Sequence, residues 1–305
     1  MTVDEITTPP AAAQGKAWVT LITNTKYLPG LLTLEYSLRA VGSKYPLVAL
    51  HTSTFPEEGH AALDARGIQK KEVEYLLPKV ENDYSNDERF YDCWSKLQPF
   101  RLTEYSRVIL LDSDMLVRQN MDELMTLPLD ISGSSVFAAV HACVCNPMQK
   151  AHYPSTFVPS VCGFTSQHST PDLAQTCGAD PTYGLGMMNG GLVVVEPNQQ
   201  LFDKIMQTIQ DPEKTTNYAF ADQSLLSDTF YGRWTSLSYK YNALKTLRWC
   251  HKEIWRDEEV KNVHYILSPK PWESKDSEDE THGWWWEVTD RRYEEEKITG
   301  TNDGF

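Results

Sequence analysis

The run RVILL at 107–111 passes without interruption into Asp112-Ser113-Asp114. A short, continuous apolar run reads as a strand buried on both faces, as strands of a parallel sheet are. Acids placed directly after such a strand lie at the carboxyl edge of the sheet, where open α/β folds bind their ligands. This juxtaposition ties a fold class to the position of a site.

The flanking sequence alternates in the same sense. AWVTLITN from Ala17 is a strand pattern, and Tyr27 to Val41 carries apolar residues at helical spacing, Leu31, Leu34, Leu38 and Val41. Strand signals return at Leu47–Leu50 and Lys71–Tyr75, separated by a helix over Pro56–Arg66 that Gly67 stops. A helix over 94–105 precedes the RVILL strand. Further strands are expected at Ser135–Val140, Met187–Pro197 and Val263–Ile266, with helices at Gln199–Ile209 and Ala221–Phe230. The pattern predicts an α/β fold with one mostly parallel sheet flanked by helices. With no repeat and no linker, residues 17–305 read as a single domain behind a disordered tail at 1–16, and 273–305 as an acidic and aromatic extension. The irregular stretch 141–186 reads as a long, ordered loop, a length at which loops are commonly functional.

On a chain leaving a strand, positions i and i+2 point the same way. Asp112 and Asp114 therefore converge, and two carboxylates at that spacing suit Mn²⁺ or Mg²⁺. On its own an Asp-x-Asp tripeptide also serves as an ordinary solvated turn. His264 is able to complete such a site, since Mn²⁺ accepts mixed oxygen and nitrogen ligands. Lys270, held between two prolines, presents its ammonium from a restricted backbone. Asn189-Gly190-Gly191 at the start of a strand permits close approach of a ligand, with a tight turn as the competing reading. Asp222-Gln223 opens a helix, where Asp is also a routine cap.

A net charge of −14 and a pI near 5.0 oppose binding to nucleic acid or to an anionic membrane. A phosphate-bearing ligand would need a few local cations or a metal. The N-terminus has no signal-peptide pattern, no run reaches the ~18–20 apolar residues of a span, and six cysteines form no disulfide framework. These features imply a cytoplasmic protein, and a homodimer is left open. The histidines and cysteines between His141 and Cys177 raise a zinc site. The spacing of Cys143, Cys145, Cys162 and Cys177 matches no short zinc knuckle and argues against one.

Taken in order, WVTLITN at 18–24, SKL at 95–97, LLDSDMLV at 110–117, MNGGLVVVEP at 188–197, ADQ at 221–223 and HYILSPKPW at 264–272 resemble glycosyltransferase family 8, in particular its glycogenin and galactinol synthase branch. The resemblance covers roughly Ala17 to Trp272. It implies a GT-A fold with a Rossmann-like sheet around a nucleotide-sugar cleft, Mn²⁺ dependence and retention of anomeric configuration. By the same resemblance Leu21, Thr23, Asn24 and Tyr27 hold the uridine, and Lys96 faces donor phosphate or sugar. Asp112, Asp114 and His264 are the metal ligands, with Ser113 and Gly190 presenting backbone to the donor. Lys270 clamps the pyrophosphate, and Asn189, Asp222 and Gln223 read the sugar and flank its anomeric carbon. Arg89 corresponds to an arginine the family carries before the lysine, at a shorter spacing here.

The implied activity moves glucose, galactose or N-acetylglucosamine from a UDP-sugar to a hydroxyl of a small acceptor such as an inositol or a sugar. A front-face substitution is the preferred route, with Asp222 the candidate nucleophile if a double displacement operates. Two other readings stand beside it: glycogenin-like priming on protein, and a nucleotide-sugar-binding scaffold without turnover. Glycogenin-like proteins carry an acceptor tyrosine before the metal histidine, and none lies between Asn242 and Val263 here. The 141–186 loop is longer than its counterpart in glycogenin and would shape an acceptor pocket. Leu267-Ser268-Pro269 replaces the small residues often found near the diphosphate. The Trp284-Trp285-Trp286 cluster is read as docking a C-terminal helix onto the core.

Overall fold

The structure is a computed structural model that describes residues 15–80, 83–85 and 88–305. Residues 1–14, most of the expected disordered tail, lie outside the described residues. The first strand, β1 (Lys16–Ile22), begins one residue earlier than the expected boundary at 17. Lys16 pairs in register with Arg107, and its ammonium donates to the Met125 carbonyl at 2.9 Å.

Strands β2 (Leu47–His51), β3 (Gln69–Glu72) and β4 (Arg107–Leu111) extend the sheet in parallel around β1, in the order β3-β2-β1-β4. The connecting helices Leu28–Ala40 and Glu57–Ala65 supply the crossovers that parallel pairing requires. Beyond β4 come β7 (Met188–Val195), β6 (Phe137–His141) and β8 (Thr235–Ser236). Here β7 runs antiparallel to both neighbours, while β8 returns parallel to β6. A second, three-stranded sheet has the order β5 (Met115–Val117), β10 (Asn262–His264), β9 (Ala243–Leu244). The small sheet was not legible as such, because two- and three-residue strands carry no periodicity of their own.

Strand alternation divides the apolar residues between the two faces. Trp18, Ile109 and Val194 join a core with Leu31, Leu34 and Leu63 of the crossover helices. Val19, Leu110 and Val193 face the opposite core, with Phe202 and Ile205 of helix Gln199–Ile209 and Leu225 of helix Ala221–Thr229. The expected helix over 94–105 is a 3-10 helix that ends at Arg101, since Pro99 removes a donor and tightens the turn. The expected strand at 71–75 is displaced to 69–72, where it pairs with β2 alone as the sheet edge.

The last helix, Glu280–Thr299, starts on an Asp279 cap and ends at Gly300 in the left-handed region, φ 82°. Trp285 and Thr289 are fully buried; the Thr289 hydroxyl meets that of Thr33 at 2.9 Å, and Trp286 donates to the Pro271 carbonyl at 3.0 Å. Thr289 thus joins this helix to helix Leu28–Ala40, while Trp285 and Trp286 pack it against Trp272 and Pro271. The 141–186 segment is ordered by short helical turns around buried Phe157, Cys162 and Phe164. Among the described residues no helix is long and apolar enough to cross a membrane.

Candidate active site

The Asp112-Ser113-Asp114 triplet is the turn by which the chain leaves β4 in the large sheet and enters β5 in the small one. Backbone bonds fix it on both sides: Asp112 N–H donates to Gly191 O at 2.8 Å, and Tyr265 N–H to Asp114 O at 2.9 Å. The Ser113 hydroxyl donates to Leu21 O at 3.1 Å and lies 3.0 Å from that of Thr20, tying the turn to the end of β1. Antiparallel pairing of β10 with β5 sets His264 opposite Met115. Its Nε2 thereby comes to 3.2 Å from Asp114 Oδ1 and 3.6 Å from Asp112 Oδ2.

The tautomer of His264 follows from its neighbours. Asn242 donates through Nδ2 to Asn189 Oδ1 at 2.8 Å, which turns its own Oδ1 toward His264 Nδ1 at 2.9 Å. The imidazole is therefore protonated on Nδ1, and Nε2 presents a lone pair to two carboxylates. A lone pair facing two anions is an unfavourable arrangement that a cation among them would resolve. One ligand atom from each of Asp112, Asp114 and His264 lies within 4.8 Å of the others, and two carboxylates with one imidazole suit Mn²⁺. The residues fit the expected divalent metal.

Two lysines balance the acids. Lys270, 2% exposed, donates to Asp114 Oδ2 and to Tyr265 O, the latter at 2.7 Å. Burial pushes the Asp114 carboxyl up, but the Lys270 ammonium outweighs it and holds the group well below the usual carboxylate range. Lys96 lies 2.8 Å from Asp112 Oδ1 and 3.6 Å from Asp222 Oδ2. Burial disfavours its charge, yet the two carboxylates hold its pKa above the ordinary lysine value. Asp222 differs from Asp114: burial, which Lys96 only partly offsets, pushes it up to about 6.

The glycine pair is explained by room, since neither glycine has a positive φ. A Cβ on Gly190 would lie 2.4 Å from Asp222 Oδ2, and one on Gly191 would lie 2.4 Å from His264 Cε1. Consecutive strand positions face opposite ways, so β7 accepts Asp222 on one side and His264 on the other. Gln223 Oε1 accepts from Asn189 Nδ2 at 3.2 Å and from Gly190 N–H at 3.3 Å. A hydrogen-bonded chain thus links Gln223, Asn189, Asn242 and His264.

Leu21, Thr23, Asn24, Tyr27, Lys96, Asp112, Ser113, Asp114, Asn189, Gly190, Asp222, Gln223 and His264 all line one cleft. Lys270 does not; its ammonium is committed to Asp114 and Tyr265 and would have to leave one of them to reach a diphosphate. Arg89 opens a short helix, and its side chain lies outside the described residues. Asn242 went unnoticed in the sequence because a single asparagine in a loop carries no signal of its own. Asp92, which accepts from Thr23 at 2.6 Å, and the aromatic wall of Phe90, Tyr153, Phe157 and Phe220 were missed likewise. Tyr153 and Phe157 come from the long loop, which therefore does border the cleft.

In sequence, residues 18–276 match Glycosyl transferase family 8. Galactinol synthase 2 of Solanum lycopersicum is 31% identical over 286 residues, covering 90% of this chain and 80% of that protein. Galactinol synthase 2 of Arabidopsis thaliana is 30% identical over 274 residues, with 88% and 77% covered. Among solved structures, the galactosyltransferase LgtC in complex with donor and acceptor sugar analogues covers 90% of this chain and 95% of its own, with a TM-score of 0.61 at 17% identity. That likeness carries the fold alone, a GT-A architecture. With the family match spanning most of its length, the chain belongs to glycosyltransferase family 8.

Proposed function

We propose that this protein is a metal-dependent, retaining hexosyltransferase that moves glucose, galactose or N-acetylglucosamine from a UDP-sugar to a hydroxyl of a small acceptor such as an inositol or a sugar. The observation that carries the proposal is the convergence of Asp112, Asp114 and His264 at one end of a cleft whose other polar wall is Lys96, Asp222 and Gln223. The name galactinol synthase among similar proteins puts galactose first among the three sugars.

Asp112, Asp114 and His264 would hold Mn²⁺ or Mg²⁺, which when bound supplies charge stabilisation to a departing diphosphate. On this reading the end of β1 and the following turn, Leu21 to Asn24 with Tyr27, receive the uridine. Lys96 stands between Asp112 and Asp222, so its ammonium faces the region where donor phosphate and sugar meet. Asn189 and Gln223 are held by their mutual bond; with Oε1 occupied, the Gln223 amide nitrogen is the group left to donate to a sugar hydroxyl. Asp222 is buried beside Lys96 and is ionised only above about pH 6. A carboxylate so paired is better suited to steady positive charge at the anomeric carbon than to attack it, which favours front-face substitution. The aromatic wall from the 141–186 loop, Tyr153 and Phe157, offers an acceptor the apolar face on which sugars and cyclitols stack. Residues 17–305 are proposed to act as one unit. A reducing compartment such as the cytoplasm is proposed, since the spacing of the six cysteines forms no disulfide framework.

The test is product formation from UDP-galactose, UDP-glucose and UDP-N-acetylglucosamine with Mn²⁺ over a panel of inositols and sugars. Turnover should need the metal and should be lost in Asp112→Asn. Undiminished activity in EDTA overturns the metal-dependent reading. Mass increments on the intact protein would instead favour self-glycosylation, and donor binding with neither transfer nor hydrolysis a scaffold.

A further inference from the structure

Away from the carboxylate site, three thiols and an imidazole meet at one point. Cys143 and Cys145 follow β6, Cys162 lies in the long loop, and His251 comes from the segment after β9, 89 residues beyond Cys162. His251 Nε2 is 3.4 Å from Cys143 Sγ, 3.4 Å from Cys145 Sγ and 3.7 Å from Cys162 Sγ, and all four ligand atoms lie within 4.8 Å of one another. Cys162 and His251 are buried, 0% and 1% exposed.

Hydrogen bonding does not account for this arrangement, because one ring nitrogen has a single proton or a single lone pair and serves one sulfur at most. The tautomer points the same way. The Glu253 carboxylate, 3.5 Å from His168 Nδ1, favours a proton there. His168 Nε2 then accepts from His251 Nδ1–H at 2.8 Å. Nε2 of His251 is left with its lone pair directed at three sulfurs. Tetrahedral zinc with Zn–S of about 2.3 Å and Zn–N of about 2.0–2.1 Å places nitrogen about 3.6 Å from each sulfur, the separation found here. The carboxylate and second imidazole behind His251 are the outer partners that zinc-bound histidines have.

We propose that Cys143, Cys145, Cys162 and His251 form a closed Cys3His zinc site that staples the 141–186 loop to the segment after β9. Four protein ligands leave no open position, so the role is structural. Cys143 also lines the cleft, as do Leu244 and Thr246 on the other side of the staple, and the metal would fix that wall in place. Sequence spacing disfavours zinc when Cys177 is taken with Cys143, Cys145 and Cys162 as the ligands. The fold leaves Cys177 out, with its thiol directed to Leu173 O, and recruits His251 instead.

The test uses the full chain, expressed with zinc and purified under reducing conditions without chelator. Elemental analysis should give about one zinc per chain, retained in an Asp112→Asn/His264→Ala double variant and lost in Cys162→Ser and in His251→Ala. His168→Ala should retain the site with affinity lowered roughly 10–100-fold. Should the cysteine and histidine variants fail to fold, cobalt exchanged into the wild-type protein decides: a sulfur-to-cobalt charge-transfer band is expected, which the carboxylate site is unable to produce. No zinc with no such band would refute the proposal. So would zinc that leaves with Asp112 and His264, or a fresh preparation two hydrogens lighter from a disulfide among these thiols, to which Cys250 also contributes contact.

Discussion

Gly190 and Gly191 offer a way to disturb the two sides of the cleft separately. In Gly191→Ala the new Cβ would stand 2.4 Å from His264 Cε1, 2.7 Å from Nδ1 and 2.8 Å from Met115 Cε. Ordinary contact begins at 3.4 Å, so the ring must retreat by about 1 Å, at a typical overpacking cost of ~1–3 kcal/mol. Retreat is opposed by the pairing of His264 with Met115 and by Asn242, so the displaced ring should be a poorer ligand. We expect the Mn²⁺ concentration for half-activation to rise roughly 10–100-fold, with much of kcat recovered at saturating metal. Gly190→Ala instead drives Cβ to 2.4 Å from Asp222 Oδ2 and 3.6 Å from Lys96 Nζ. It should lower kcat and leave the metal requirement unchanged. Metal titrations of both variants by activity and by direct Mn²⁺ binding, with circular dichroism to establish folding, provide the measurement. A Gly191→Ala protein with the wild-type metal requirement, or a Gly190→Ala protein that shares its metal defect, would refute this division of the site.

Asp222→Asn should separate activity from stability. The folded pKa is raised from 3.8 to about 6, so the folded state favours the protonated acid, and stability present below about pH 4 is lost as pH rises through about 6. Two pH units correspond to at most about 3 kcal/mol. In EDTA the variant should resist urea better than wild type at pH 8, with the gap closing toward pH 4, although its turnover falls; lower stability at pH 8 would mean that pairing with Lys96 dominates. Lys270→Met leaves Asp114 as an uncompensated buried charge and should cost about 3–5 kcal/mol, partly restored by Mn²⁺ in the same urea assay. Trp285→Ala empties a fully buried site under the last helix and should cost about 3–5 kcal/mol in unfolding free energy without changing the metal requirement.

Much of the site could be read from the chain because local order carries it. A buried strand that ends in two acids, a glycine pair opening another strand and an Asp-Gln at a helix start are short-range patterns, and each lies in the cleft. The helix at 199–209 was legible for the same reason, since periodicity over eleven residues needs no partner. What lay beyond the sequence depends on distant segments meeting. Asn242 sets the tautomer of His264 only because β9 and β10 pair beside the turn after β4. Lys270 neutralises Asp114 across 156 residues. Cys143, Cys145 and Cys162 gain their fourth neighbour from His251, which no spacing rule within the loop would select. The sequence by itself determined the alternation, the buried strand and the convergent acids, because those follow from side-chain periodicity along one stretch of backbone. The tertiary structure alone decided which nitrogen of His264 faces the acids, that His251 joins the three thiols and where each lysine is committed, because those are fixed by packing between elements that are remote in the chain.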